Sequence, residues 1–155
     1  MKKNILLALS IIIALCSIFC LPVSATNLEE KSETTIEWLE NGDYIETTIT
    51  HYETNERAAT KSGSKTKNYK NSAGDIMWSV TVYGTFTYNG TTSTCTSASH
   101  STTAPGSAWT IKSVSSTKSG YSAIANATAT YKTLTTSQDY SMSVTLYCSP
   151  YGILS

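Results

Sequence analysis

The sequence predicts an all-β fold: an antiparallel β-sandwich, immunoglobulin-like in architecture, of seven to nine short strands held by one disulfide. Three observations predict it. Apolar and polar residues alternate with period two along runs rich in Thr, Val, Tyr and Ile. Gly, Asn-Gly and Ser-Gly steps separate those runs. Helical periodicity is almost missing after residue 25.

The first 25 residues belong to a different category. Lys2 and Lys3 precede an apolar run from Ile5 to Leu21, then Pro22 and a Val23-Ser24-Ala25 step. A charged start, an apolar middle and a small-x-small site read as a secretory signal peptide over residues 1–25. A retained anchor over residues 4–21 sits at the short end of the roughly 17–25 residues that span a bilayer. Lipidation at Cys20 is the third reading, but Phe19 precedes it where a small residue is wanted. Secretion into the extracellular space is therefore expected, with no membrane span left after cleavage. Residues 26–33 read as disordered and residues 34–155 as one domain, long enough for one core but not two.

The elements follow in order. Ile36 to Leu39 and Tyr44 to Thr50 form a hairpin around Glu40-Asn41-Gly42-Asp43, with Trp38 expected across from Ile45, Leu39 from Tyr44 and Glu37 from Glu46. Residues 53–74 are polar and hold at most one edge strand. Ile76 to Tyr88 is the clearest strand: Ile76, Trp78, Val80, Val82, Phe86 and Tyr88 share one parity, and Gly84 marks a bulge or bend. Asn89-Gly90 is a strong hairpin signal, since a type I′ turn needs positive φ at both central residues. A two-residue turn sets Tyr88 against Thr91, Phe86 against Ser93 and Gly84 against Cys95. Trp109 to Lys118 alternates next. Ser119-Gly120 turns into Tyr121 to Lys132, where Tyr121, Ala123, Ala125, Ala127, Ala129 and Tyr131 share a face suited to close sheet packing. In Ser141 to Cys148 the inward set is Met142, Val144, Leu146 and Cys148.

Of four cysteines, Cys16 and Cys20 leave with the leader, so Cys95 and Cys148 remain. Both face inward by independent counts, and the exterior is oxidising, so they are expected to pair. The closed loop of about 53 residues corresponds to roughly 4 kcal/mol. Two free buried thiols are the alternative, and two cysteines are too few for structural zinc. The order Cys95, Trp109, Cys148 matches immunoglobulin domains, although Leu146 occupies the tyrosine-corner position.

The run Trp78 to Gly90, then Cys95-Thr96-Ser97, then Ser143 to Pro150, resembles a group of small secreted β-domain proteins of clostridia-type Gram-positive bacteria. The likeness covers most of residues 33–155. It implies an exported, disulfide-linked bacterial β-domain and carries over no activity and no catalytic residue.

Charge is sparse, 14% of residues, and the net charge is zero. That argues against nucleic acid as a partner. Residues 26–56 hold nine acidic side chains against Lys31, and residues 57–70 hold Arg57, Lys61, Lys65, Lys67 and Lys70. The basic stretch is either a patch for an anionic surface or a neighbour that neutralises the acidic one. His51 and His100 are the only imidazoles, and no nucleophile-elbow, metal-ligand or calcium-loop spacing accompanies them. A non-enzymatic protein without a cofactor is expected. Tyrosine is the remaining signal, ten against two Phe. Tyr83 and Tyr147 fall on outward parities, and with the Ser and Thr around them make a candidate surface for an extracellular glycan or protein. The alternative is a secreted bacteriocin-like or toxin-like effector.

Overall fold

The computed structural model describes residues 29–53 and 59–155. The expected signal peptide, residues 1–25, and residues 26–28 of the segment expected to be disordered lie outside the described residues. Among those described, no helix is long and apolar enough to cross a membrane.

Among the described residues, eight strands form two antiparallel sheets. The five-stranded sheet holds β1 (Glu29–Trp38), β2 (Tyr44–Glu53), β3 (Thr60–Lys70), β4 (Ile76–Tyr88) and β5 (Ser93–Thr103). The three-stranded sheet holds β6 (Trp109–Ser119), β7 (Ser122–Lys132) and β8 (Ser137–Tyr147). Neighbours in each sheet are neighbours in sequence, so the chain is a meander. An immunoglobulin domain crosses over in Greek-key fashion, so this meander shares two packed antiparallel sheets with it but not its connections. Trp109 also departs from that pattern. It packs on Trp78, Tyr69, Tyr131 and Tyr140, at the opposite end of β6 from the cysteines.

Alternation explains the core. Trp78, Val80, Val82 and Phe86 of β4 are buried, as are Ala123, Ala125, Ala127 and Ala129 of β7 and Met142, Val144 and Leu146 of β8. β6 packs against β5, β7 against β4 and β5, and β8 against β4 and β3. The alanine stripe is what brings the sheets together, because short side chains let the large ones of β4 seat between them. Gly84 completes the fit. A Cβ there would lie 2.6 Å from the Phe86 ring and 3.0 Å from the Ala123 Cβ.

Several expectations are corrected. β1 begins at Glu29, so residues 29–33 extend a strand. The first turn spans Leu39 to Asp43, closed by Leu39 N–H donating to the Asp43 carbonyl at 2.9 Å and Gly42 N–H to Leu39 at 3.1 Å. This shifts the register by one: Trp38 faces Tyr44, Glu37 faces Ile45 and Ile36 faces Glu46, so the like-charge pair does not form. The Asn89 turn is also longer. Its side chain accepts from Thr91 N–H at 3.0 Å and Thr92 N–H at 2.8 Å, so Tyr88 faces Ser93 and Phe86 faces Cys95. A register shift beyond Phe86 then sets Gly84 against Ala98. Cys95 still points inward, because its partner Phe86 does.

The largest correction is β3. It is an inner strand, paired with β2 on one side and β4 on the other. Its outward hydroxyls and those of its neighbours join across strands: Thr66 to Thr81 at 2.8 Å, Ser62 to Thr85 at 3.0 Å, with Thr34 to Thr48 at 3.0 Å and Ser79 to Thr103 at 2.7 Å continuing the pattern. Such cross-strand pairs stabilise a sheet without apolar burial. The acidic and basic stretches do lie side by side, and Lys70 donates to Glu46 at 2.8 Å.

Two predictions follow from this packing. Gly84→Ala should cost about 1–3 kcal/mol in denaturant unfolding, because the added methyl meets a ring and a methyl with no room to yield; an unchanged midpoint would contradict the packing. The Lys70 hydrogen bond holds the Glu46 carboxyl below its usual range. Its stabilisation is present above the ordinary carboxylate value and is lost as pH falls through the lowered one. Lys70→Met should therefore lower stability at neutral pH by up to about 1 kcal/mol. The gap from wild type should close in acid.

Candidate functional site

Tyr83 and Tyr147 do not share a platform. Tyr83 stands on the outer face of the five-stranded sheet and Tyr147 on the outer face of the three-stranded one, so their rings point away from each other. Around Tyr83, the paired glycines Gly63 and Gly84 floor a shallow depression of about 220 Å³, walled by Thr50, Ser62, Ser64, Thr85, Ser97 and Ser99.

Tyr147 has a different partner. Tyr121 lies 5.9 Å away between ring centroids, tilted by 41°. Both residues are exposed, Tyr147 by 42% and Tyr121 by 58%. By parity Tyr121 falls on the inward face with the alanines. The strand starts only at Ser122, and Gly120 at φ 54° swings Tyr121 into the turn. The signal that finds it is the Ser-Gly step immediately before it.

These rings border a hollow of about 620 Å³ at one end of the sandwich, lined also by Thr91, Thr92, Ser93, Cys148, Ser149, Pro150 and Ser155. Three segments meet there and are tied together. Gly90 N–H donates to the Pro150 carbonyl at 2.9 Å. Tyr147 and Ser155 exchange backbone bonds of 2.9 and 3.1 Å. The Ser149 hydroxyl accepts from Tyr151 N–H at 3.2 Å and Ile153 N–H at 3.1 Å. Gly152, at φ 79°, lets the tail cross the Tyr88 ring, where a Cβ would lie 2.6 Å away. The hollow is therefore preformed, with two aromatic faces beside a wall of hydroxyls and no charged side chain on its lining.

The cysteines lie beneath it. Cys95 and Cys148 are buried free thiols in the structure, without the expected bond between them. Cys95 Sγ donates to the Ser97 carbonyl at 3.2 Å and Cys148 Sγ to Ser149 at 3.5 Å. Their amides grip the same turn: Cys95 N–H donates to Gly120 at 2.7 Å and Cys148 N–H to Tyr121 at 3.0 Å. Burial pushes the Cys95 thiol above its usual range, with the neighbouring Cys148 adding to the effect and Lys118 opposing it.

The imidazoles are apart, on β2 and β5. His100 Nδ1 lies 2.9 Å from the Ser116 hydroxyl, joining the sheet edges. Among the described residues no carboxylate hydrogen-bonds that ring. His51 faces inward beside Gly63, its Nδ1 buried without a partner among the described residues. No group of three or more His, Cys, Asp or Glu is placed to hold a metal among the described residues.

No protein-family model, curated protein or solved structure matches this chain.

Proposed function

We propose that this is an exported, non-enzymatic binding protein whose Tyr121–Tyr147 hollow takes a sugar ring of an extracellular or cell-surface glycan. The observation that carries the reading is the pair of exposed rings set beside hydroxyls in a preformed hollow with no charged side chain on its lining. A pyranose presents C–H groups to aromatic faces and hydroxyls to Ser and Thr, and a rigid site keeps the entropy cost low. Export rests on the leader features of residues 1–25 and on the likeness to small secreted proteins of clostridia-type bacteria.

The cysteines close into a disulfide once the chain is outside. Their amides bond to consecutive carbonyls and their thiols lie in one core cluster, which supports the pairing. Thiol alkylation of the secreted protein, unfolded in denaturant so that both buried positions are accessible, should label neither cysteine until it is reduced. Labelling of both without reductant would overturn the bond.

The binding test is retention on Gram-positive cell wall and on mucin. Saturable retention is expected, weakened about tenfold by Tyr147→Ala or Tyr121→Ala, which corresponds to ~1.4 kcal/mol each. Tyr83→Ala should leave it unchanged. No retention, or retention indifferent to both hollow tyrosines, would overturn the reading.

A further inference from the structure

The two sheets differ in width. No strand of the three-stranded sheet lies over β1 or β2, which extend past the edge of β8 as a step. At one end of this step the tail already lies beside β8: Leu154 faces Cys148, is buried, and fills the space over Gly63. From Ser137 to Leu146 the same edge has no strand partner among the described residues.

The floor of the step is built from inward-facing side chains. Ile45 and Ile49 of β2 lie half-buried along it. Glu33 and Glu37 flank them on β1, with Lys31 and Thr35 on the same face, and Lys65 and Lys67 flank them on β3. Glu33, Ile49 and Lys65 form one cross-strand row. Among the described residues Glu33, Glu37, Lys65 and Lys67 make no ion pair. Lys65 is pushed below its usual range by burial and by Lys67 beside it.

We propose that a second copy of this chain fills the step, β1 of each copy adding to the β8 edge of the other about a two-fold axis parallel to the strands. The directions agree. Contacts from Cys95 to Gly120, Thr96 to Lys118 and His100 to Ser116 show that β6 runs antiparallel to β5. β8 is therefore antiparallel to β1, and a two-fold axis along the strands keeps that relation between copies. The lengths agree, since β1 has 10 residues and the open edge runs from Ser137 to Leu146. The widths agree as well. Each copy leaves two strands uncovered, and these cover each other, so the pair closes and does not grow into a fibre.

Charge selects this arrangement. β1 of the partner lies over β2, so its Glu33 and Glu37 come between Lys65 and Lys67 on one side and the glutamates of this copy's β1 on the other, and the lysines offset that repulsion. Pairing β1 with β1 would set glutamate against glutamate, so the inward charges that guard this edge also choose its partner.

The test is molar mass by light scattering across a concentration series of the secreted protein. The wild type should dimerise. Glu33→Lys/Glu37→Lys and Lys65→Glu/Lys67→Glu should each weaken the dimer about tenfold or more through like-charge contact. An equal mixture of the two variants should dimerise again, because both contacts in the mixed pair are then of opposite sign. Circular dichroism checks folding, and because Glu33 and Glu37 are exposed, the β1 variant decides even where the β3 variant does not fold. A wild type that stays monomeric at its solubility limit, variants that dimerise like wild type, or a mixture of folded variants that stays monomeric would each overturn the proposal.

Discussion

The contact between Gly84, Phe86 and Ala123 sets how closely the two sheets approach, and the rest of the molecule depends on that approach. Phe86 is fully buried only because Gly84, two residues before it, carries no side chain and Ala123 opposite carries a single methyl. Sheets normally pack about 10 Å apart. The alanines of β7 let a narrow sheet pack over β4 beside Trp78, Val80 and Val82. From that seat, β6 and β8 settle over β5 and β3, and the first two strands are left projecting.

The two ends of the sandwich then take different characters. At one end Trp109 is surrounded by Tyr69, Trp78, Tyr131 and Tyr140, and Tyr69 donates to Asp43 at 2.5 Å, joining the aromatic cluster to the first turn. At the other end the cluster is replaced by two thiols, three chain segments and a hollow. The first end closes the core with rings. The second closes it with backbone hydrogen bonds and the Leu154 side chain, and so leaves space that a ligand can enter.

The strands with two distinct faces were legible in the sequence. β4, β7 and β8 each alternate cleanly, and the middles of their inward sets match the buried residues, whereas Ile76 and Tyr121 at the ends are exposed and Tyr88 and Tyr131 only half-buried. β3 was not legible, because its pattern contains Lys65, Lys67 and Gly63 where a core face should show apolar residues. It pairs on both sides through backbone bonds and hydroxyl contacts, which leave no period-two hydrophobic signal. Turn lengths were misread for one local reason. Asn89 caps two amides with its side chain and enlarges the loop beyond what Asn-Gly implies. The candidate site was half legible: Tyr147 was found by parity, whereas Tyr121 belongs to a turn and parity does not reach it.

Nuclear Overhauser contacts across the sheets test the account most directly. Strong contacts are expected from the Ala123 methyl to the Gly84 α-protons and to the Phe86 ring, with Ala125 and Ala127 reaching the inner side chains of β4. Absence of these contacts, or an Ala123 methyl that instead reports only solvent and its own sheet, would contradict the claim that the alanine stripe seats the two sheets.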